Sequence, residues 1–126
     1  MKKLICLALC AAFASCASIA PPASTGSVDH VVLVWLKRPG NPQDREKLIS
    51  AGRELRSIPG IRALDHGTAL ASDRPVVDDS FDLGFVMRFD SPEALAAYES
   101  HPIHQRKVKD VLAPLSRKIV VYDITR

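Results

Sequence analysis

Along residues 28–36, "VDHVVLVWL", apolar residues fill both faces of an extended chain instead of alternating with polar ones. Val28, Val32, Val34 and Leu36 share one face with His30, while Val31, Leu33 and Trp35 take the other. The β-branched content and the stop at "RPGNP" predict a strand. The period then changes. Leu48, Ile49, Leu55 and Ile58 recur at helical spacing until "IPG". Asn41 supplies a cap, Pro42 the first helical position, and Asp44 and Glu46 acids at the positive end of the dipole. "IRALDHGTAL" reads as a weaker strand and "ASDRPVVDDS" as a loop. "FDLGFVMRF" reads as a third strand with Phe81, Leu83, Phe85, Met87 and Phe89 on one face. A second helix starts at Ser91 and Pro92. It ends near Ser100, because His101 precedes Pro102 and a residue before proline avoids helical dihedrals. "IHQRKVKDVLAPL" is expected to be a partly helical connection and "RKIVVYDI" the last strand.

The predicted order is β-α-β-β-α-β, an α+β, ferredoxin-like antiparallel sheet. Two short helices cover only one side of such a sheet. The other side should then be polar, yet the last strand also mixes Ile119 and Val121 with Val120, Tyr122 and Ile124. A second copy packed face to face, a homodimer, is the simplest cover. Phe81, Phe85 and Phe89, or the alternate set containing Val86, are then expected to line a pocket or the core.

The first residues carry a different pattern. "MKKLICLALCAAFASC" has two lysines, an apolar run from Leu4 to Phe13 and small residues before Cys16. That is the shape of a cleaved export signal, and the run is short for a bilayer span. "FASC" resembles the lipobox of bacterial lipoproteins, with Phe13 where leucine is usual. The resemblance implies a signal at 1–15, lipid on the Cys16 thiol and attachment to a membrane. In a Gram-negative host, Ala17 in place of aspartate implies the outer membrane, on its periplasmic side. The competing cut follows Ala14 and would release a soluble periplasmic or secreted protein. Residues 16–27 then form the lipid-attachment cysteine and a Pro/Ser/Ala/Gly tether, and residues 28–126 the domain. All three cysteines lie at or before Cys16, so the domain stands without disulfides. Losing Lys2 and Lys3 lowers the net charge of +3 to +1, which gives no electrostatic case for nucleic acid.

Candidate chemistry concentrates in "YESHPIHQ", residues 98–105. Tyr98, His101 and His104 stand where the second helix ends. Imidazole titrates near neutrality and can take a proton while a phenol donates to a developing oxyanion. His30 sits mid-strand among apolar residues and needs a partner: a backbone group, His104, water or a ligand. The proline between His101 and His104 breaks the one-face geometry of a helical metal site, and Asp78, Asp79 and Asp82 read as a solvated loop. No metal is expected. The domain offers no nucleophile elbow and no glycine-rich phosphate loop, so no cofactor is expected either. His66 reads as a surface or edge residue.

"DHVVLVWLK", the "IPG" after the first helix, "FVMRFDSPEALAAYESHPIH" and "VVYDI" together resemble the stress-responsive A/B barrel (Dabb) family. The resemblance runs from Val28 to about Ile124 and implies a dimeric α+β barrel. One enzymatic branch, a plant polyketide cyclase, closes a ring in an apolar pocket with a Tyr–His acid–base pair. Carried over by motif, Tyr98 and His104 match that pair, His101 the first histidine of the segment, and His30 a pocket histidine on the first strand. A further histidine of that branch falls where this chain has Leu83. The resulting expectation is a homodimer enclosing an apolar small-molecule pocket. His104 and Tyr98 would be its catalytic candidates and His30, His101 and Phe85 its ligand contacts. Two alternatives stand beside it: a cofactor-independent cyclase or lyase using the same residues, and an envelope interaction module without a ligand.

Overall fold

The computed structural model describes residues 26–126, and the expected export signal and lipid-attachment residue Cys16 lie outside them. Strand β1 (Val28–Leu36) is followed by α1 (Pro42–Leu55), β2 (Ile61–Gly67), β3 (Leu83–Phe89) and α2 (Pro92–Glu99). Then come α3 (Pro102–Lys107), a π-helical run (Val108–Leu112), one further turn α4 (Ala113–Leu115) and β4 (Ser116–Thr125). The four strands form one antiparallel sheet in the order β2-β3-β1-β4, the ferredoxin-like arrangement.

Local chemistry sets the helix starts. Asn41 accepts from Asp44 N and Ser91 from Ala94 N, each with proline next in the chain. His101 and Pro102 repeat the device: the His101 Nδ1 accepts from Ile103 N at 3.2 Å and opens α3. Pro114 accounts for the wide π turn before it. Proline's ring crowds the carbonyl four residues back, and a looser i→i+5 register, in which Ala113 N reaches Val108 O, relieves that crowding.

Two strand boundaries differ from the sequence expectation. Strand β2 stops at Gly67 rather than running to Leu70, because its partner β3 offers no pairing beyond Gly84. Strand β3 begins at Leu83; Asp82 N still donates to Val34 O at 2.9 Å, while its carboxylate turns back to accept from Leu36 N at 2.8 Å and Gly40 N at 2.6 Å. Gly40 has a φ of 71° and occupies a left-handed turn that a side chain would strain. Phe81 does not continue the Leu83 face. It packs edge-on against Trp35 on the opposite side, with ring centroids 6.2 Å apart.

The core lies between sheet and helices. Val28, Val32, Val34 and Leu36 of β1 and Leu83, Phe85, Met87 and Phe89 of β3 meet Leu48, Ile58, Leu95 and Tyr98. The other side of the sheet is apolar and largely uncovered. Val86, Tyr122 and Ile124 are exposed there, and Val31, Leu33 and Val120 are half-buried. One patch of it is closed by the chain itself. Trp35 is buried because Phe81 and the Lys118 ammonium cover its ring, and its indole N–H donates to Ser80. Asp29 on this side pairs with Arg88 and Arg126.

Candidate functional site

On the helix side a cavity of about 470 Å³ remains open between α1, the sheet and the α3–π segment. Val32, Phe85 and Met87 form its floor, Leu48, Ala51, Gly52 and Leu55 one wall, and Val108 and Leu112 another. Ile119 and Val121 of the edge strand β4 complete it, and both are substantially exposed. Gly52 lets the floor approach α1, since a Cβ there would stand 2.7 Å from the Phe85 ring. The lining is predominantly apolar, and its polar members are His30, Tyr98, Glu99, His104, Lys107 and Asp123.

Register places the first pair. His30 lies directly opposite Asp123 in the β1–β4 ladder, and its Nδ1 is 2.5 Å from Asp123 Oδ1. A carboxylate accepts, so Nδ1 carries the proton, and in the neutral ring Nε2 is left as the basic nitrogen. Asp123 thus answers the buried imidazole's need for a partner. It was not among the candidates read from the sequence, because residues 93 apart meet only through strand pairing.

Tyr98 comes from the last turn of α2. Its side chain is buried, with the ring 5.0 Å from Phe89, 6.0 Å from His30 and 4.4 Å from His104. Among the described residues its hydroxyl has no hydrogen-bond partner. Burial, reinforced by the Glu99 carboxylate, pushes the phenol well above its ordinary range, so it remains a neutral donor. His104 sits in the first turn of α3, and its Nδ1 donates to the Glu99 carbonyl at 2.9 Å. As in His30, that fixes the tautomer and leaves Nε2 able to accept a proton.

Of the residues singled out from the sequence, His30, Tyr98, His104 and Phe85 meet at this cavity. His101 does not line it; its ring caps α3 instead. The signal for this was present in "HP", the same cap-then-proline pair as at Asn41 and Ser91. Glu99, Lys107 and Asp123 were missed. His66 lies over Phe85, ring centroids 6.3 Å apart. Asp78, Asp79 and Asp82 brace loops by accepting from Ser80, Ser72, Leu36 and Gly40.

His30, Glu99 and Asp123 place one potential metal-ligand atom each within 4.8 Å of one another. The 2.5 Å between His30 and Asp123 fits a shared proton better than joint ligation. Two ligands of a tetrahedral ion at ~2.0–2.1 Å stand about 3.3 Å apart.

The family profile described as Stress responsive A/B Barrel Domain (Dabb) matches residues 28–126. No curated protein matches the chain. Among solved structures, a Dabb protein with a ferredoxin-like fold from Mesorhizobium loti is 26% identical, with a TM-score of 0.66 over 80% of this chain and 97% of the other. A hydroxynitrile lyase from Passiflora edulis superposes with a TM-score of 0.70 at 21% identity, covering 81% of this chain and 94% of its own. A dimeric ferredoxin-like protein of unknown function from Thermobifida fusca gives 0.64 at 22% identity, covering 79% and 91%. At such identities the last two speak for the fold alone.

Proposed function

Because the chain belongs to the stress-responsive A/B barrel (Dabb) family, with the match spanning its folded domain, we propose that it is an exported homodimer that binds an apolar small molecule. The observation that carries this reading is the predominantly apolar cavity lined by the buried Tyr98 side chain, whose hydroxyl has no hydrogen-bond partner among the described residues. A ligand or water entering the cavity can take up that hydroxyl's unused hydrogen bond. Dimeric neighbours and the uncovered Val86, Tyr122 and Ile124 support pairing through the sheet's second face. Cys16, with the lipobox-like "FASC", supports lipid attachment to the cell envelope.

Binding is read with the dye N-phenyl-1-naphthylamine. Wild type is expected to raise its fluorescence, and Val121→Trp, which fills the cavity from the edge strand, to abolish the rise. A signal equal in both proteins contradicts the pocket. Lipid attachment is read by incorporation of labelled palmitate in cells, expected for wild type and absent from Cys16→Ser. Equal labelling, or none in wild type, removes the anchor.

A second reading is favoured by a separate observation: both cavity histidines hold their Nδ1 protons in hydrogen bonds and leave Nε2 basic beside a neutral phenol. That is an acid–base pair of the cyclase or lyase type, with His104 taking a proton and Tyr98 donating one. His104→Ala separates the readings. A catalyst loses about two to four orders of magnitude in rate, whereas a binder loses affinity only modestly.

A further inference from the structure

Two carboxylates, Glu99 and Asp123, stand close together at the cavity's polar end. Asp123 spends one carboxylate oxygen on His30. The Glu99 carboxylate has no hydrogen bond or ion pair among the described residues, although it lines the cavity and reaches within 4.8 Å of His30 and Asp123. Lys107 also lines the cavity, but its ammonium is held 2.5 Å from Glu54 Oε2. Both histidines turn fixed Nδ1–H groups toward acceptors of the protein itself. An acidic pair alone would be no site. The second feature is Tyr98, a buried side chain that lines the cavity, whose hydroxyl has no hydrogen-bond partner among the described residues and whose oxygen can also accept.

We infer that the cavity binds apolar molecules ending in a primary amine and discriminates against carboxylates; the inference rests on the pocket reading above. A primary ammonium has three donors, matching the Asp123 carboxylate, the Glu99 carboxylate and the Tyr98 oxygen. Its charge is attracted by the two carboxylates, whereas a ligand carboxylate would be repelled by both. The aliphatic and Phe85 walls take the apolar body.

The experiment titrates the full protein calorimetrically with three probes of nearly the same body: 4-phenylbutylamine, 4-phenylbutan-1-ol and 4-phenylbutyrate. The amine is expected to bind at least ten-fold tighter than the butyrate, with the alcohol between. Glu99→Gln, a change at an exposed side chain, should narrow the amine–butyrate gap five-fold or more. Butyrate binding as tightly as the amine overturns this inference while leaving the pocket intact. So does a gap unchanged in both Glu99→Gln and Asp123→Asn. Tight Mg²⁺ or Zn²⁺ binding that erases the amine preference overturns it in favour of a metal site. Failure of all three probes and of the naphthylamine dye overturns it together with the pocket reading.

Discussion

Strands β3 and β4 turn similar side chains toward the same face of one sheet, yet one is sealed and the other open. Leu83, Phe85, Met87 and Phe89 are buried beneath the helices. Ile119 and Val121 occupy equivalent positions on β4 and remain 37% and 46% exposed. Strand β3 is flanked on both sides by other strands, whereas β4 is an edge. The site is therefore a stretch of core that the helices do not close. Its chemistry follows from position: the ladder residue after Val121 on that face is Asp123, which meets the buried His30.

The contrast is broken most severely at β3. Phe89→Ala is expected to cost about 3–5 kcal/mol in urea unfolding, because the ring is fully buried against Tyr98. Val121→Ala on β4 should cost no more than about 0.5 kcal/mol while weakening dye binding. An equal loss at both positions would mean that β4 is covered as β3 is.

Gly52→Ala places a Cβ against the Phe85 ring, so it should destabilise by about 1–3 kcal/mol and shrink the cavity. Undiminished stability and dye affinity together would show that Phe85 yields freely. Asp123→Ala leaves a buried imidazole without its acceptor, at about 1–3 kcal/mol. The same unfolding titration checks it, and a neutral result would remove Asp123 as the anchor of His30. Tyr98→Phe should stay within about 0.5 kcal/mol, since the hydroxyl has no hydrogen-bond partner among the described residues, while dye affinity falls. A large stability loss would reveal a structural partner for that hydroxyl.

The smallest effect lies on the sheet's other face. Hydrogen bonds from Arg88 and Arg126 hold the Asp29 carboxyl below the usual carboxylate range. A depressed folded-state value contributes stability that is complete above the unfolded value of about 3.9 and is lost as pH falls through the folded one. Urea midpoints should therefore fall below about pH 4, and less steeply in Asp29→Asn. Identical slopes would show that the pairing adds nothing.

Much of the fold was legible because its signals are local. Asn41–Pro42 and Ser91–Pro92 announce helix starts, and the two-sided apolar strands announce an uncovered face. The Tyr98–His104 association was legible too, since the residues flank one helix break. What escaped depends on register or on competing partners. The His30–Asp123 pair needs the β1–β4 ladder, and Phe81 changes face just before Asp82, whose carboxylate bonds the end of β1 and the turn after it. His101 sits where a pocket histidine was expected but serves its own helix. Nothing in the alternation of β4 distinguishes it from β3; only sheet order leaves one of them at the edge.

Native mass spectrometry of the domain from Ser24 onward, purified gently, tests the central claim most directly. The account predicts a dimer carrying a reproducible small-molecule mass that disappears in Val121→Trp while the dimer persists. A stable monomer at micromolar concentration, or a mass retained in the filled variant, would contradict it.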